Sequence, residues 1–160
     1  MDNLYIVCVD DQRDVLSSLS GDLSPFEDLL MIEECESARE AWDVIESIDQ
    51  SGDHLAIIIT DQVMPEQSGV ELLKQLIEDG RFLFTKKILL TGLATHQDTI
   101  EAINKTSLDR YIEKPWSSEE LHTAIKSLLT GYLLDKGLDY EPYTKILDQQ
   151  LLLNYLRKTT

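Results

Sequence analysis

Short β-branched runs alternate with longer stretches of helical periodicity along this chain, and the alternation predicts most of its elements. Leu4, Tyr5, Ile6, Val7, Cys8 and Val9 form an unbroken run that reads as a first strand. A helix over 11–23 follows, with Val15, Leu16, Leu19 and Leu23 at helical spacing and Pro25 ending it. Residues 29–34 read as a second strand. Ser37, Ala38, Arg39 and Glu40 match a capping box, and Ala41, Trp42, Val44, Ile45 and Ile48 carry that helix to Ser51, where Gly52 stops it. Leu55, Ala56, Ile57, Ile58 and Ile59 are continuously apolar, the mark of a strand buried on both faces of a parallel sheet. A third helix is predicted over 70–78, a fourth strand over 87–91, a fourth helix over 95–105 and a fifth strand over 110–113. A second capping box at Ser117 and Glu120 opens a fifth helix expected to run to about residue 130.

Five strands, each followed by a helix, predict an α/β fold with a parallel sheet covered on both faces. Ligands of such folds bind beyond the carboxyl ends of the strands, so the residues there carry the chemistry. The first strand ends in Asp10 and Asp11, the third in Asp61, the fourth in Thr91 and the fifth in Lys114 and Pro115. Carboxylates gathered in one place repel one another unless a cation sits among them. Their hard oxygens, with no His or Cys nearby, suit Mg²⁺ rather than zinc. Lys114 and Thr91 would offer an ammonium and a hydroxyl to phosphoryl oxygens. A carboxylate nucleophile, a metal and such donors are the equipment of phosphoryl transfer. Singly, each residue has an ordinary reading: Asp10 and Asp11 as a helix cap with a first-turn acid, Asp61 as a turn residue, Lys114 as a loop lysine, Tyr111 as a core aromatic. Their joint placement at four strand ends favours the chemical one.

The motifs are Val9-Asp10-Asp11, then Thr60 through Asp61, Gln62, Val63 and Met64 to Pro65 with Gly69, then Leu90-Thr91-Gly92, then Tyr111-Ile112-Glu113-Lys114-Pro115. In that order they resemble the response-regulator receivers of two-component signalling, over roughly residues 3–130. The resemblance implies a doubly wound, flavodoxin-like (βα)5 sheet of order 2-1-3-4-5, the order found in the chemotaxis regulator of the same family. It also implies roles. Asp61 would be the phosphoacceptor and Lys114 the phosphoryl partner. Asp10, Asp11, Asp61 and the Val63 backbone carbonyl would hold Mg²⁺. Thr91 and Tyr111 would be the switch pair, acting on the face formed by the fourth predicted helix, the fifth strand and the fifth predicted helix, which would control a partner or self-association. The phosphoryl group would come from a sensor histidine kinase or a small acyl phosphate, and the only catalysis would be the chain's own phosphorylation and dephosphorylation. Gly92 stands where such receivers often have Ala. Val63 and Leu93 are apolar where side chains influence attack of water on the acyl phosphate, which leads to an expectation of slow self-dephosphorylation. An acyl-phosphate half-life unchanged by Val63→Asn with Leu93→Glu would count against it.

Three rival readings are weaker. Aspartyl-nucleophile phosphatases place D-x-D after the first strand, and Asp10-Asp11-Gln12 breaks that spacing. A receiver scaffold no longer controlled by phosphate is disfavoured by the complete site. A flavin-binding protein of this fold would need a phosphate loop after the first strand.

Composition narrows the picture further. The 160 residues suffice for one domain and a short appendage, drawn here as 1–130 and 131–160. A formal charge of −16 argues against direct contact with nucleic acid. No run approaches the length of a membrane span and the N-terminus carries no basic leader, so a cytoplasmic location without membrane insertion is the default. The two cysteines, Cys8 and Cys35, make no metal or disulfide spacing. His54, His96 and His122 are scattered without ligand spacing, and Trp42 and Trp116 read as structural anchors. In the tail, Pro142 fits the first turn of a helix carrying Tyr143, Ile146, Leu147, Gln150, Leu151, Leu153, Asn154 and Leu156. Leu151, Leu152 and Leu153 cannot share one stripe, so the helix is expected to pack on its own domain, to link to another, or to form a homodimer.

Overall fold

The computed structural model describes residues 2–92, 97, 104 and 106–159. Apart from Gln97 and Asn104, the helix predicted over 95–105 lies outside the described residues. Strands β1 (Leu4–Val9), β2 (Met31–Cys35), β3 (His54–Thr60), β4 (Lys86–Thr91) and β5 (Arg110–Glu113) form one sheet of order β2-β1-β3-β4-β5. Every pairing is parallel, and β1 and β3 lie in its interior.

Alternation within each strand divides the core in two. Ile6, Cys8, Ile57, Ile59, Ile88 and Leu90 face α1 (Arg13–Asp22) and α4 (Ser118–Lys136). Val7, Val9 and Ile58 face α2 (Ala38–Gln50) and α3 (Gly69–Asp79). Ile57, Ile58 and Ile59 are fully enclosed because both faces of β3 are covered. Burying each such side chain contributes roughly 1.5–3 kcal/mol. Both cysteines are buried free thiols. Trp42 leans on the second core and stacks edge-on against Phe82.

Local bonding shifts several predicted boundaries. β2 starts at Met31 rather than 29 because the amides of Leu29 and Leu30 bond back to the Phe26 carbonyl. The fifth predicted helix, observed as α4, does not stop near residue 130 but runs to Lys136, where Gly137 adopts a left-handed φ of 72°. Gly131 fails to end it because packing overrides propensity: Tyr132 and Leu133, immediately after it, are among the most buried side chains.

The tail is not one helix from Pro142. Glu141–Ile146 is a 3-10 helix, Leu147 is extended, and α5 (Gln149–Thr159) begins afresh. Asp148 explains the restart. Its Oδ1 accepts the Leu151 N–H at 3.0 Å, and its own N–H donates to Thr130 Oγ1 at 2.9 Å. Tyr143, Ile146, Leu147 and Leu152 join the α1–α4 core, so the tail packs on its own domain. Leu151, Leu153 and Tyr155 stay exposed. No described helix is long and apolar enough to cross a membrane.

Thr130 is a two-way relay, since Oγ1 also donates to the Lys126 carbonyl at 2.7 Å. Thr130→Val keeps the shape but strands the Asp148 N–H, at a cost of about 1–3 kcal/mol. Faster amide exchange across 141–156 is expected. Unchanged exchange would show that apolar packing alone holds the tail.

Candidate functional site

The carboxyl ends of β1 and β3, two of the three interior strands, deliver the acidic residues. Asp10 follows β1 and donates its N–H to the Cys35 carbonyl at 3.0 Å; Asp61 follows β3 and donates its N–H to the Val9 carbonyl at 2.9 Å. These ladder-type bonds hold the backbones of both aspartates rigidly. Asp10, Asp11 and Asp61 each place a carboxylate oxygen within 4.8 Å of the others. Asp10 and Asp61 are buried, whereas Asp11 is exposed. Asp10 does not cap α1: its Oδ1 accepts the Gln12 N–H at 2.9 Å, and Gln12 holds the cap position without a side-chain bond.

Lys114 enters from the end of β5, its N–H bonded to the Thr91 carbonyl at 3.2 Å. Its Nζ donates to Asp10 Oδ2 at 2.7 Å and stands 3.5 Å from Asp61 Oδ1. The Thr91 hydroxyl and the Gln62 N–H, beside the Asp61 carboxylate, favour its ionised form. Burial nevertheless pushes the Asp61 carboxyl above the ordinary aspartate range, with Lys114 pulling it down and Asp10 pushing it further up. Like charges crowded in a half-dry pocket are eased by positive charge, which Lys114 provides in part. Three hard oxygen ligands close together, with no His or Cys ligand beside them among the described residues, fit a divalent cation of the Mg²⁺ type. On the same face of β4 and β5 as Thr91, Tyr111 is half-buried beside Val70, Leu89 and Leu108.

The sequence motifs therefore converge: Asp10, Asp11, Asp61, Thr91 and Lys114 meet at one sheet edge. Val63 is 54% exposed beside the site, and Leu93 lies outside the described residues. The two described histidines do not converge. His54 bonds Asp2 and Lys136, His122 meets the Asp22 carbonyl, and His96 lies outside the described residues.

Two supporting features went unread in the sequence. Gln62 accepts the Gly69 N–H on its backbone carbonyl at 3.1 Å and the Val70 N–H on Oε1 at 2.9 Å, tying the start of α3 to the loop after Asp61. Ser68 and Glu71 form a reciprocal capping box that starts α3. The S-x-x-E spacing was the signal for the latter. Nothing local marks Gln62, because the groups it binds lie seven and eight residues away.

Comparison with known proteins agrees with this geometry. Residues 6–126 match the family model described as the response regulator receiver domain. Response regulator Rre1 of Synechocystis sp. is 30% identical over 127 residues, covering 79% of this chain. The chain spans only 52% of that regulator's own length. Chemotaxis protein CheY1 of Helicobacter pylori is 31% identical over 128 residues, covering 79% of this chain and 97% of that protein. The solved signal receiver domain of an HD domain-containing protein from Pseudomonas fluorescens superposes with a TM-score of 0.72 at 27% identity, covering 81% of this chain and 97% of that one.

Proposed function

Because the chain belongs to the response regulator receiver domain family, we propose that it is a phosphorylation switch in which Asp61 accepts the phosphoryl group. The observation that carries this reading is the buried Asp61 carboxylate with Asp10, Asp11, Lys114 and Thr91 gathered around it.

An Asp61 carboxylate oxygen attacks phosphorus. A new O–P bond forms as the bond from phosphorus to a phosphohistidine nitrogen, or to the oxygen of an acyl phosphate, breaks. The electron pair leaves with that imidazole or carboxylate. The cofactor that fits is Mg²⁺, which Asp10, Asp11, Asp61 and the Val63 backbone carbonyl would hold and which would supply positive charge against the phosphoryl oxygens. Lys114 exchanges its Asp10 partner for a phosphoryl oxygen. The Thr91 hydroxyl, beside Asp61, turns to another. Its movement vacates space beside the Leu89 and Val70 surface into which Tyr111 rotates. An added charge at Asp61 thereby becomes a change in shape on the β5–α4 face. The donor is a sensor histidine kinase, and the output is a partner, or a second copy of the chain, that reads that face or α5. Net charge favours a protein over nucleic acid as this direct partner.

Incubation with a small acyl phosphate and Mg²⁺, followed by intact-mass measurement, tests the reading. One added phosphoryl group, absent when the metal is chelated, is expected. Light scattering with and without beryllofluoride then reports whether the switch changes self-association. No covalent phosphate and no beryllofluoride binding would overturn the reading.

A further inference from the structure

Lys114 sits on the least restrained support of the site. β5 is an edge strand, paired on one side only, and the Lys114 N–H bond to Thr91 continues its ladder by one last contact. Beyond it the chain turns into α4 through Pro115, Trp116 and Ser117. Two side chains from this turn reach back to a single residue. Trp116 Nε1 donates to Asp22 Oδ2 at 2.8 Å, and the Ser118 hydroxyl donates to Asp22 Oδ1 at 2.8 Å. His122 Nε2 meets the Asp22 backbone carbonyl at 2.5 Å, with its ring edge-on to Phe26.

Asp22 is the last residue of α1, and an aspartate there runs against local electrostatics. The carboxyl end of a helix carries negative partial charge, and α1 has no basic residue in its last turn. Helix capping therefore does not account for this side chain. Its two oxygens instead each take one donor from the segment that follows Lys114. The opposite end of α1 starts just after Asp10 and Asp11. One helix thus joins the acidic cluster to the tether, and the 2.7 Å Lys114–Asp10 pair closes the circuit.

Resting on the phosphoryl-acceptor reading above, we propose that Asp22 is a positioning residue for Lys114: by holding Trp116 and Ser118 it sets where the β5–α4 connection places the Lys114 ammonium relative to Asp61. The consequence is selective. The carboxylates that fit a cation stand on β1 and β3, whose ladders do not depend on the tether. Loosening it does not weaken cation binding, since the displaced ammonium releases Asp10, but it weakens the grip on a phosphoryl group, because that grip requires a donor placed to within a fraction of an ångström.

The test uses the full chain as wild type, Asp22→Ala, Asp22→Asn, Trp116→Phe and the Asp22→Ala/Trp116→Phe double variant. Mg²⁺ is titrated alone, then beryllofluoride in saturating Mg²⁺. Asp22→Ala is expected to weaken beryllofluoride on the order of tenfold, the lower range for losing an outer-shell partner, while Mg²⁺ affinity does not fall, because an ammonium displaced from Asp10 competes less with the cation for it. Asp22→Asn retains most of the affinity, since its amide oxygen still accepts the indole N–H and its nitrogen can donate to the Ser118 hydroxyl. The double variant is no weaker than the worse single variant, because both cut one tether. Equal weakening of both ligands, or none, overturns the proposal. The side-chain ammonium NMR signal of Lys114 supplies a second readout that does not depend on phosphate. It is expected in wild type and Asp22→Asn and lost in Asp22→Ala; persistence in Asp22→Ala overturns the positioning role. If wild type fails to bind beryllofluoride, the phosphoryl-acceptor reading fails, and the ammonium signal alone decides the role of Asp22.

Discussion

Asp61→Asn is expected to abolish phosphoryl acceptance completely and, in metal-free protein at neutral pH, to raise the melting temperature. The first effect follows because an amide oxygen is too weak a nucleophile to displace the donor. The second follows from electrostatics. The folded protein holds the Asp61 carboxyl above the ordinary value of 3.8, chiefly through burial and against the pull of Lys114. A carboxyl whose folded pKa is raised contributes stability fully present below its unfolded value and lost as pH rises through the folded one. At neutral pH the ionised side chain therefore weighs against the fold. The amide is a near-isostere of the protonated form and removes that burden. The difference in melting temperature between variant and wild type should be positive in a chelator at pH 7 and shrink as pH falls into the carboxylate range. Each kcal/mol corresponds to about 2–4 °C for a chain of this size. Mg²⁺ should stabilise wild type more than the variant and so narrow the gap. Thermal melts across pH, with and without the metal, make the check. A variant no more stable than wild type in the chelator would mean that the Lys114 ion pair outweighs burial.

Gly69→Ala is expected to cost at least about 3 kcal/mol, the upper end for overpacking a close-packed site. A Cβ on Gly69 would lie 2.1 Å from the Asp61 carbonyl oxygen and 3.0 Å from its carbonyl carbon. Both obstacles are backbone. The same carbonyl accepts the Thr60 hydroxyl, and Gly69 itself is pinned by its bond to the Gln62 carbonyl. Relief requires α3 and the Asp61 loop to part, which would disturb the acceptor as well as the fold. Gly92→Ala is the control, because its Cβ would meet the Lys114 Cβ at 3.5 Å, an ordinary contact. Chemical denaturation should separate the two sharply, with Gly92→Ala within about 0.5 kcal/mol of wild type. Similar stabilities for both variants would show that the Asp61 loop yields.

The strands, the described sheet-covering helices and the convergence of five strand-end residues are legible in the amino-acid sequence by itself. Periodicity and strand-end chemistry are local signals. A continuous run such as Leu55 to Ile59 has few alternatives to a doubly covered strand. Asp10, Asp11, Asp61, Thr91 and Lys114 each stand at or just past a strand end, so the parallel topology alone brings them together. Tertiary structure decided what depends on partners distant in sequence. Helix α4 passes Gly131 because Tyr132 and Leu133 find a core there, a gain that exceeds the helix cost of about 1 kcal/mol for one glycine. The tail breaks at Leu147 because Thr130, eighteen residues before Asp148, captures the Asp148 amide. Gly69 stands in the sequence as a motif glycine without a physical reason until the Asp61 carbonyl is seen against it. Asp22 looks like a misplaced acid at a helix end until Trp116 and Ser118 arrive from 94 and 96 residues away. Element identity is written in local periodicity, whereas boundaries, close approaches and tethers are set by which surfaces the packed sheet brings into contact.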